Sequence, residues 1–143
     1  MEEVNETNEI NKIDEINEPI TSGKKILFIE DDKTLSQVIS GELEKSGFTV
    51  KPVFSGGDAL RMVRTELPEL ILLDLMLPEV HGFDILTKIK KDSHTKNIPV
   101  IIITALGSDD DVKKGLSLGA DDYIVKSKHS VAEIIDKVKS FLK

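Results

Sequence analysis

The sequence of 143 residues contains no cysteine, so it can form neither a disulfide nor a thiolate metal site. It has no apolar run close to the roughly 18 residues needed to cross a bilayer, which excludes a membrane span. Its first ten residues, MEEVNETNEI, have neither the basic start nor the apolar stretch of a signal peptide. These absences fit a protein of the reducing cytoplasm.

An excess of positive charge is also missing. The net charge is −7, and residues 1–23 carry −6 of it, from seven acidic residues and one lysine. The other 120 residues hold 19 acidic and 18 basic side chains, which leaves −1. Neither part has the basic balance of a nucleic-acid binder, so no nucleic-acid partner is expected.

Residues 1–23 differ from the rest in composition, being rich in Asn and Glu, and this predicts a disordered acidic extension. Ile10, Ile13, Ile16 and Ile20 recur there at near-helical spacing, so the alternative is a short amphipathic segment that docks on a partner or on the domain itself. A helix this short is marginal in water, which favours the solvated extension.

From residue 24 to residue 143, apolar strand patterns alternate with amphipathic helix patterns. Strands are expected near residues 25–29, 49–53, 70–73, 100–103 and 123–125, with a helix after each. The strands are almost continuously apolar, as in sheets covered by helices on both faces. This order predicts an α/β fold, a (βα)5 doubly wound five-stranded parallel sheet, as a single domain.

Local signals sharpen the helix predictions. The first helix is expected to carry Leu35, Val38, Ile39 and Leu43 on one face. The second is expected to be capped by Ser55 and to carry Leu60, Met62, Val63 and Leu67. Ser108 with Asp111, and Ser130 with Glu133, match the capping-box spacing that starts a helix.

Polar side chains stand where four of the strands end. Glu30 and Asp31 follow the first strand, Asp74 the third, Thr104 ends the fourth and Lys126 follows the fifth. In an open parallel sheet, ligands bind outside the carboxyl ends of the strands. We therefore expect these side chains to converge on one small pocket.

Clustered carboxylates repel each other, and a divalent cation removes the repulsion. Mg²⁺ commonly takes one or two carboxylates and recruits phosphate oxygens as further ligands. Such a cluster beside Thr104 and Lys126 suits a phosphoryl group, with a carboxylate as the nucleophile.

Four segments carry a family resemblance: ILFIEDD, LILLDLMLPEVHGFDIL, PVIIITA and GADDYIVK. With them, residues 24–143 resemble a receiver domain of the two-component response regulators, in the single-domain form similar to chemotaxis regulators. The resemblance implies a flavodoxin-like strand order, 2-1-3-4-5. It also implies that Asp74 is the phosphoacceptor and that Mg²⁺ is held by Asp31, Asp74, Glu30 and the backbone carbonyl of Met76.

The resemblance further implies that Thr104 and Lys126 contact the phosphoryl group and that Thr104 and Tyr123 rearrange together as a switch. Two positions depart from the family pattern. Ser127 follows Lys126 where a proline is usual, and His81 stands where an aspartate is often found.

The predicted function is a phosphorylatable signalling switch. It would accept a phosphoryl group from a histidine kinase or a histidine phosphotransfer protein, and then change a contact surface for a downstream protein. It would not be an enzyme, beyond taking part in its own phosphorylation and dephosphorylation. Since the sequence stops one helix after the fifth strand, no output domain is expected.

Three other classes of protein are alternatives for this fold and these residues. A phosphatase of the haloacid-dehalogenase type needs a second aspartate two residues after its nucleophile, where this chain has Met76. A flavin- or dinucleotide-binding module is disfavoured because no G-x-G-x-x-G follows the first strand. A receiver-like module that is never phosphorylated is disfavoured by the acidic residues and Lys126.

Overall fold

The computed structural model describes residues 23–142, so the prediction for the acidic extension lies outside the described residues except at Gly23. Within this range, strands and helices alternate as predicted. The strands are β1 (Lys25–Ile29), β2 (Thr49–Val53), β3 (Leu70–Leu73), β4 (Val100–Thr104) and β5 (Asp122–Val125). The helices are α1 (Lys33–Lys45), α2 (Gly56–Glu66), α3 (Gly82–Lys91), α4 (Asp109–Ser117) and α5 (Val131–Phe141), with a short 3-10 helix at Lys126–Lys128.

The five strands found in residues 23–142 form one parallel sheet in the order β2-β1-β3-β4-β5. This confirms the predicted doubly wound, flavodoxin-like topology, which right-handed crossovers produce. The register pairs Ile29 with Leu73, and Leu73 with Ile102. Because Ile29 and Leu73 end their strands side by side, the residues that follow them leave the sheet at the same level.

The alternation of side chains along each strand divides the core into two layers. In β1, Ile26 and Phe28 pack in the layer that includes α1 and α5, while Leu27 and Ile29 face the layer that includes α2 and α3. Successive side chains of a strand point to opposite faces, so one apolar run supplies both layers. Both faces of the sheet are therefore buried, as its continuous apolar strands require.

Three local predictions need correction. Val38 is 46% exposed, because it lies at the edge of the α1 face that packs inward. Leu67 is 56% exposed, because α2 ends at Glu66 and Leu67 adopts a left-handed backbone with φ of 42°. Ser108 accepts a hydrogen bond from the Asp111 N–H, but its hydroxyl donates to the Asp111 carboxylate, so the reciprocal half of the capping box is not formed. The Ser130–Glu133 box is complete.

No helix within residues 23–142 is long and apolar enough to cross a membrane.

Candidate functional site

Three carboxylates meet at the carboxyl edge of the sheet. Glu30 and Asp31 follow β1 and Asp74 follows β3, and one oxygen from each lies within 4.8 Å of the other two. Glu30 is 1% exposed and Asp74 is 3% exposed, whereas Asp31 is open to solvent. The level ends of β1 and β3 bring these side chains together, as the sequence predicted.

Lys126 supplies the positive charge of the cluster. It begins the 3-10 helix after β5, and its Nζ lies 2.8 Å from Glu30 Oε1 and 3.1 Å from Asp74 Oδ2. Burial raises the pKa of Glu30, and the charge of Asp74 adds to the effect, while the hydrogen bond from Lys126 opposes it. Burial alone would lower the pKa of Lys126, but its hydrogen bonds and ion pairs with the two carboxylates raise it. The ammonium is therefore held in its charged form.

Backbone N–H groups satisfy the outer oxygens of the two buried carboxylates. The Asp32 N–H donates to Glu30 Oε2 at 3.1 Å, and the Met76 N–H donates to Asp74 Oδ1 at 3.1 Å. The carboxylate of Asp32 itself accepts from the Leu35 N–H and caps α1. Asp32 therefore serves the helix, which explains why two consecutive aspartates have different environments.

Gly82 allows the chain to pass close behind the phosphoacceptor candidate. A Cβ at this position would lie 2.8 Å from the Asp74 carbonyl oxygen and would overlap the Leu75 backbone. The Gly82 N–H donates to the Leu75 carbonyl at 3.0 Å and ties the start of α3 to the loop after β3. The position of Gly82 in the sequence does not predict this contact. The Gly82 and Leu75 backbones come close only when the loop after β3 folds back onto the end of the strand.

Thr104 and Tyr123 are linked through the backbone of Leu106. The buried Thr104 hydroxyl accepts a hydrogen bond from the Leu106 N–H at 3.4 Å, and the Tyr123 hydroxyl donates to the Leu106 carbonyl at 2.6 Å. Burial, followed by the charges of Asp111 and Asp74, raises the pKa of Tyr123 to about 12. Sequence reasoning missed the role of Leu106 because main-chain atoms leave no mark in residue type.

Among the described residues, Thr104 makes no hydrogen bond to the carboxylates. Glu30, Asp31, Asp74 and Lys126 thus form one contact cluster, and Thr104 and Tyr123 form a second pair joined by Leu106.

The cluster opens into a hollow of about 500 Å³ with a largely apolar wall. Asp31 lies in it, together with Met76, Leu106 and His81. The His81 ring accepts a hydrogen bond from the Phe83 N–H at 3.0 Å and stacks on the Phe83 ring, so it caps α3. The departure from the family pattern at His81 therefore has a local structural explanation.

The donor set of the cluster fits a hard divalent cation. It consists of carboxylate oxygens, which Mg²⁺, Mn²⁺ and Ca²⁺ prefer over nitrogen or sulfur. Three carboxylates and one ammonium sum to −2, the charge that one divalent ion balances.

A doubly wound sheet with a buried acidic cluster and a lysine at its carboxyl edge is the arrangement of phosphorylated receiver domains. A family model described as the response regulator receiver domain matches residues 26–139. The chain belongs to this family, and it is a phosphorylatable signalling switch of two-component systems. The family acts as a switch rather than as a conventional enzyme, and its members interact with histidine kinases.

Known relatives agree in sequence and in structure. The DNA-binding dual master transcriptional regulator RpaA of Synechocystis is 38% identical over 119 residues, covering 83% of this chain and 49% of RpaA. The Francisella response regulator 1452 receiver domain superposes with a TM-score of 0.76 at 33% identity, covering 84% of this chain and 97% of that one. The chain spans about half the length of the curated relatives it matches.

A third comparison concerns the metal. The Mn²⁺-bound form of response regulator Rcp1 superposes with a TM-score of 0.74 at 30% identity, covering 84% of this chain and 95% of that one. Receiver domains bind a divalent metal at their acidic cluster, and Glu30, Asp31 and Asp74 form such a cluster here.

Proposed function

We propose that Asp74 accepts the phosphoryl group and that the three side chains clustered with it, those of Glu30, Asp31 and Lys126, make it reactive. The observation that carries this proposal is the placement of Asp74: a nearly buried carboxylate at the end of a central strand, 3.1 Å from a lysine and within reach of two further carboxylates. The site activates the Asp74 carboxylate through nearby charges and through its fixed position, so the mechanism requires no strained geometry.

In the transfer step, a carboxylate oxygen of Asp74 attacks the phosphorus of a phosphohistidine. The new O–P bond forms as the P–N bond breaks, and the electron pair of that bond stays on the histidine nitrogen. The ammonium of Lys126 can stabilise the negative charge on the phosphoryl oxygens, because its Nζ already lies beside Asp74 Oδ2. Thr104 donates its hydroxyl hydrogen to one of these oxygens. The same residues serve dephosphorylation. There a water oxygen attacks the phosphorus, the O–P bond to Asp74 breaks with its electron pair returning to the carboxylate, and the protons of the water leave with inorganic phosphate.

We assign Mg²⁺ as the divalent ion of this site. Asp31, Asp74, Glu30 and the backbone carbonyl of Met76 would hold it, with Asp31 facing the solvent from which the ion enters. When bound, the ion supplies positive charge to the phosphoryl oxygens. Lys126 must then share Glu30 and Asp74 with the cation.

The switch follows from the hydrogen bonds of Leu106. When the Thr104 hydroxyl turns to the phosphoryl group, the Leu106 N–H loses its partner, and the loop after β4 shifts to regain one. The same shift moves the carbonyl that holds the Tyr123 hydroxyl. Phosphorylation would thereby favour a second position of Tyr123 and change the surface formed by α4, β5 and α5.

The domain boundaries and partners complete the proposal. Residues 24–143 form the receiver domain and residues 1–23 an extension. The donor is a histidine kinase or a histidine phosphotransfer protein, which places the domain in the cytoplasm, where ATP charges the kinase. The domain itself contacts a downstream protein rather than nucleic acid, because its net charge of −1 gives no basic surface excess. RpaA is named as DNA-binding, and that description applies to RpaA.

The test is intact-mass measurement after incubation with acetyl phosphate and Mg²⁺. The wild type is expected to gain the mass of one phosphoryl group, and Asp74→Asn or EDTA should prevent the gain. Asp32→Asn is the matched control, since it removes a neighbouring carboxylate while asparagine still caps α1. Equal labelling of Asp74→Asn and wild type would contradict the assignment, and a wild type that never gains the mass would favour a module that only mediates contacts.

A further inference from the structure

A groove runs between α2 and α3, far from the acidic cluster. It encloses about 600 Å³ between the C-terminal halves of the two helices, which lie toward the opposite edge of the sheet. Its floor is apolar and its rim is basic. The floor includes Leu60, Val63 and Ile89, and the rim includes Arg61, Arg64 and Lys88.

The rim keeps a small excess of positive charge. The Asp92 carboxylate lies 2.8 Å from Arg64 Nε, and the Asp58 carboxylate, beside the groove, lies 3.2 Å from Arg61 Nη2. Three cations and two anions leave +1 around the groove, carried by Lys88, although residues 24–143 as a whole carry −1. The groove is therefore more positive than the domain as a whole.

The groove leads toward the point where residues 1–22 join the domain. A second hollow of about 260 Å³ shares Arg64 and continues to Leu67, whose side chain is exposed. The end of α2 is tied to the start of β1, because Lys25 Nζ lies 3.0 Å from Glu66 Oε1. This second hollow thus lies beside the first residues of the domain.

We propose that residues 1–22 of the same chain dock in this groove. Their carboxylates would face the basic rim, and Ile10, Ile13, Ile16 and Ile20 would cover the apolar floor. The segment carries −6 against the +1 of the groove and its paired carboxylates. It is long enough, since 22 residues extend up to about 70 Å, whereas a 120-residue domain has a radius of gyration of about 14 Å.

Tethering favours this occupant over a separate one. A segment joined to its own domain meets the groove at an effective concentration in the millimolar range, without the loss of translational freedom that a free peptide incurs. The body of a second copy would present its own basic groove and a nearly neutral surface, so it lacks the complementary charge. This inference is independent of the proposed phosphoryl chemistry, which occupies the other edge of the sheet.

Paramagnetic relaxation measured by NMR on the full chain tests the proposal. Because the sequence has no cysteine, Asn11→Cys carries a nitroxide label at one defined position. The amide signals of Thr65, Lys88 and Ile89 are expected to lose most of their intensity, while those of α1 and α5 keep theirs. Broadening centred on α1 and α5 instead would overturn the proposal.

Charge reversal provides the matched comparison. Arg61→Glu with Lys88→Glu should abolish the broadening at the groove, as should high salt, which screens exposed charges. Lys45→Glu with Lys139→Glu makes the same change of charge on the other face of the sheet and should leave it intact. Equal loss in both double variants, or in neither, would overturn docking through the basic rim.

Two further samples keep the result interpretable. Ile13→Ser with Ile16→Ser alters only the segment, so it leaves the described core untouched, and it should weaken the broadening if isoleucines occupy the floor. A mixture of labelled unenriched chain and unlabelled 15N chain should show no broadening. Broadening in the mixture equal to that within one chain would mean that the segment binds another copy, which would overturn intramolecular docking.

Discussion

Removing the ammonium of Lys126 would leave two buried carboxylates facing each other without a cation. In Lys126→Met, Glu30 Oε1 and Asp74 Oδ2 would lose the donor that now lies 2.8 and 3.1 Å away. Each carboxylate would keep a single hydrogen bond from a backbone N–H. We therefore expect the free energy of unfolding to fall, and to fall most without divalent metal.

Two estimates bound the expected loss in the free energy of unfolding of Lys126→Met. Removing one partner of a fully buried pair costs about 3–5 kcal/mol, and the side chain of Lys126 is 24% exposed, so water reduces this value. The protein can also escape the repulsion by protonating Glu30. From an ordinary pKa of 4.5, protonation at pH 7 costs about 3.4 kcal/mol, at 1.36 kcal/mol per pH unit. We expect a loss of about 2–3 kcal/mol at pH 7.

The pH dependence is the signature of this mechanism. The folded pKa of Glu30 is already raised by burial, and loss of Lys126 would raise it further. A carboxyl group with a raised folded pKa opposes folding least below its unfolded pKa and most above its folded pKa. The deficit of Lys126→Met should therefore shrink on acidification, with a limit of about 0.7 kcal/mol at pH 5.

Urea unfolding followed by circular dichroism, in EDTA at pH 7 and pH 5, measures the deficit. With a urea m-value in the usual range of about 1–3 kcal/mol/M, the midpoint should fall by about 0.7–3 M at pH 7. Lys128→Met is the control, because it removes an exposed ammonium from the same 3-10 helix. Coincident curves for the two variants at pH 7, or a gap that stays constant down to pH 5, would refute the reasoning.

Three further predictions concern the metal, the switch and the lifetime of the signal. Calorimetry should show the melting temperature rising with Mg²⁺ concentration, because an ion that binds only the native state stabilises it by mass action. Asp31→Ala should flatten this rise, and an unchanged response would contradict the metal site. Tyr123 is the only tyrosine and the sequence has no tryptophan, so ultraviolet absorbance reports the titration of its phenol alone. The midpoint is expected near pH 12, and a midpoint near pH 10 would contradict the burial of the hydroxyl. Its contribution to stability is complete below pH 10 and is lost as the pH rises through about 12. Met76 and Leu106 line the hollow into which the acidic cluster opens. Because these apolar side chains cannot orient an attacking water, Met76→Asn with Leu106→Glu should speed decay of the phosphoprotein by about tenfold, or 1.4 kcal/mol. Decay no faster than wild type would rule out this explanation.

The residues that the sequence located correctly are those whose position follows from strand periodicity. Glu30 and Asp74 come directly after buried strands, and parallel pairing brings the ends of such strands to one edge. The helix starts at Ser55 and Ser130 were also recognisable, because a cap is a local hydrogen bond between neighbours in sequence. Strand order came from the family resemblance, since alternation alone fixes the fold class but not which strands are neighbours.

What the sequence could not supply depends on contacts distant along the chain or on main-chain atoms. Val38 matches an inward helical position but lies at the edge of that face, and within residues 23–142 it is 46% exposed. The two hydrogen bonds of Leu106 join residues 17 and 2 positions away through backbone groups that every residue possesses. The α2–α3 groove appears only when two helices separated by a strand pack side by side.

Under the proposed function, the two groups of site residues would give phosphorylation at Asp74 two physical routes to the same part of the surface. One runs from Thr104 through the backbone of Leu106 to the Tyr123 hydroxyl. The other runs through Lys126, which immediately follows β5, the strand that carries Tyr123. In the resting state Lys126 is held by Glu30 as well as Asp74, so a phosphoryl group that attracts the ammonium must draw it away from Glu30. In this proposed switch the Glu30 contact would oppose the active arrangement, and its strength would set how far the unphosphorylated domain populates that arrangement. Replacing Glu30 by glutamine would weaken the contact that keeps Lys126 in its resting position. The equilibrium between the two positions of Tyr123 would then shift without phosphorylation, while the hydrogen bond between Thr104 and Leu106 would stay unchanged.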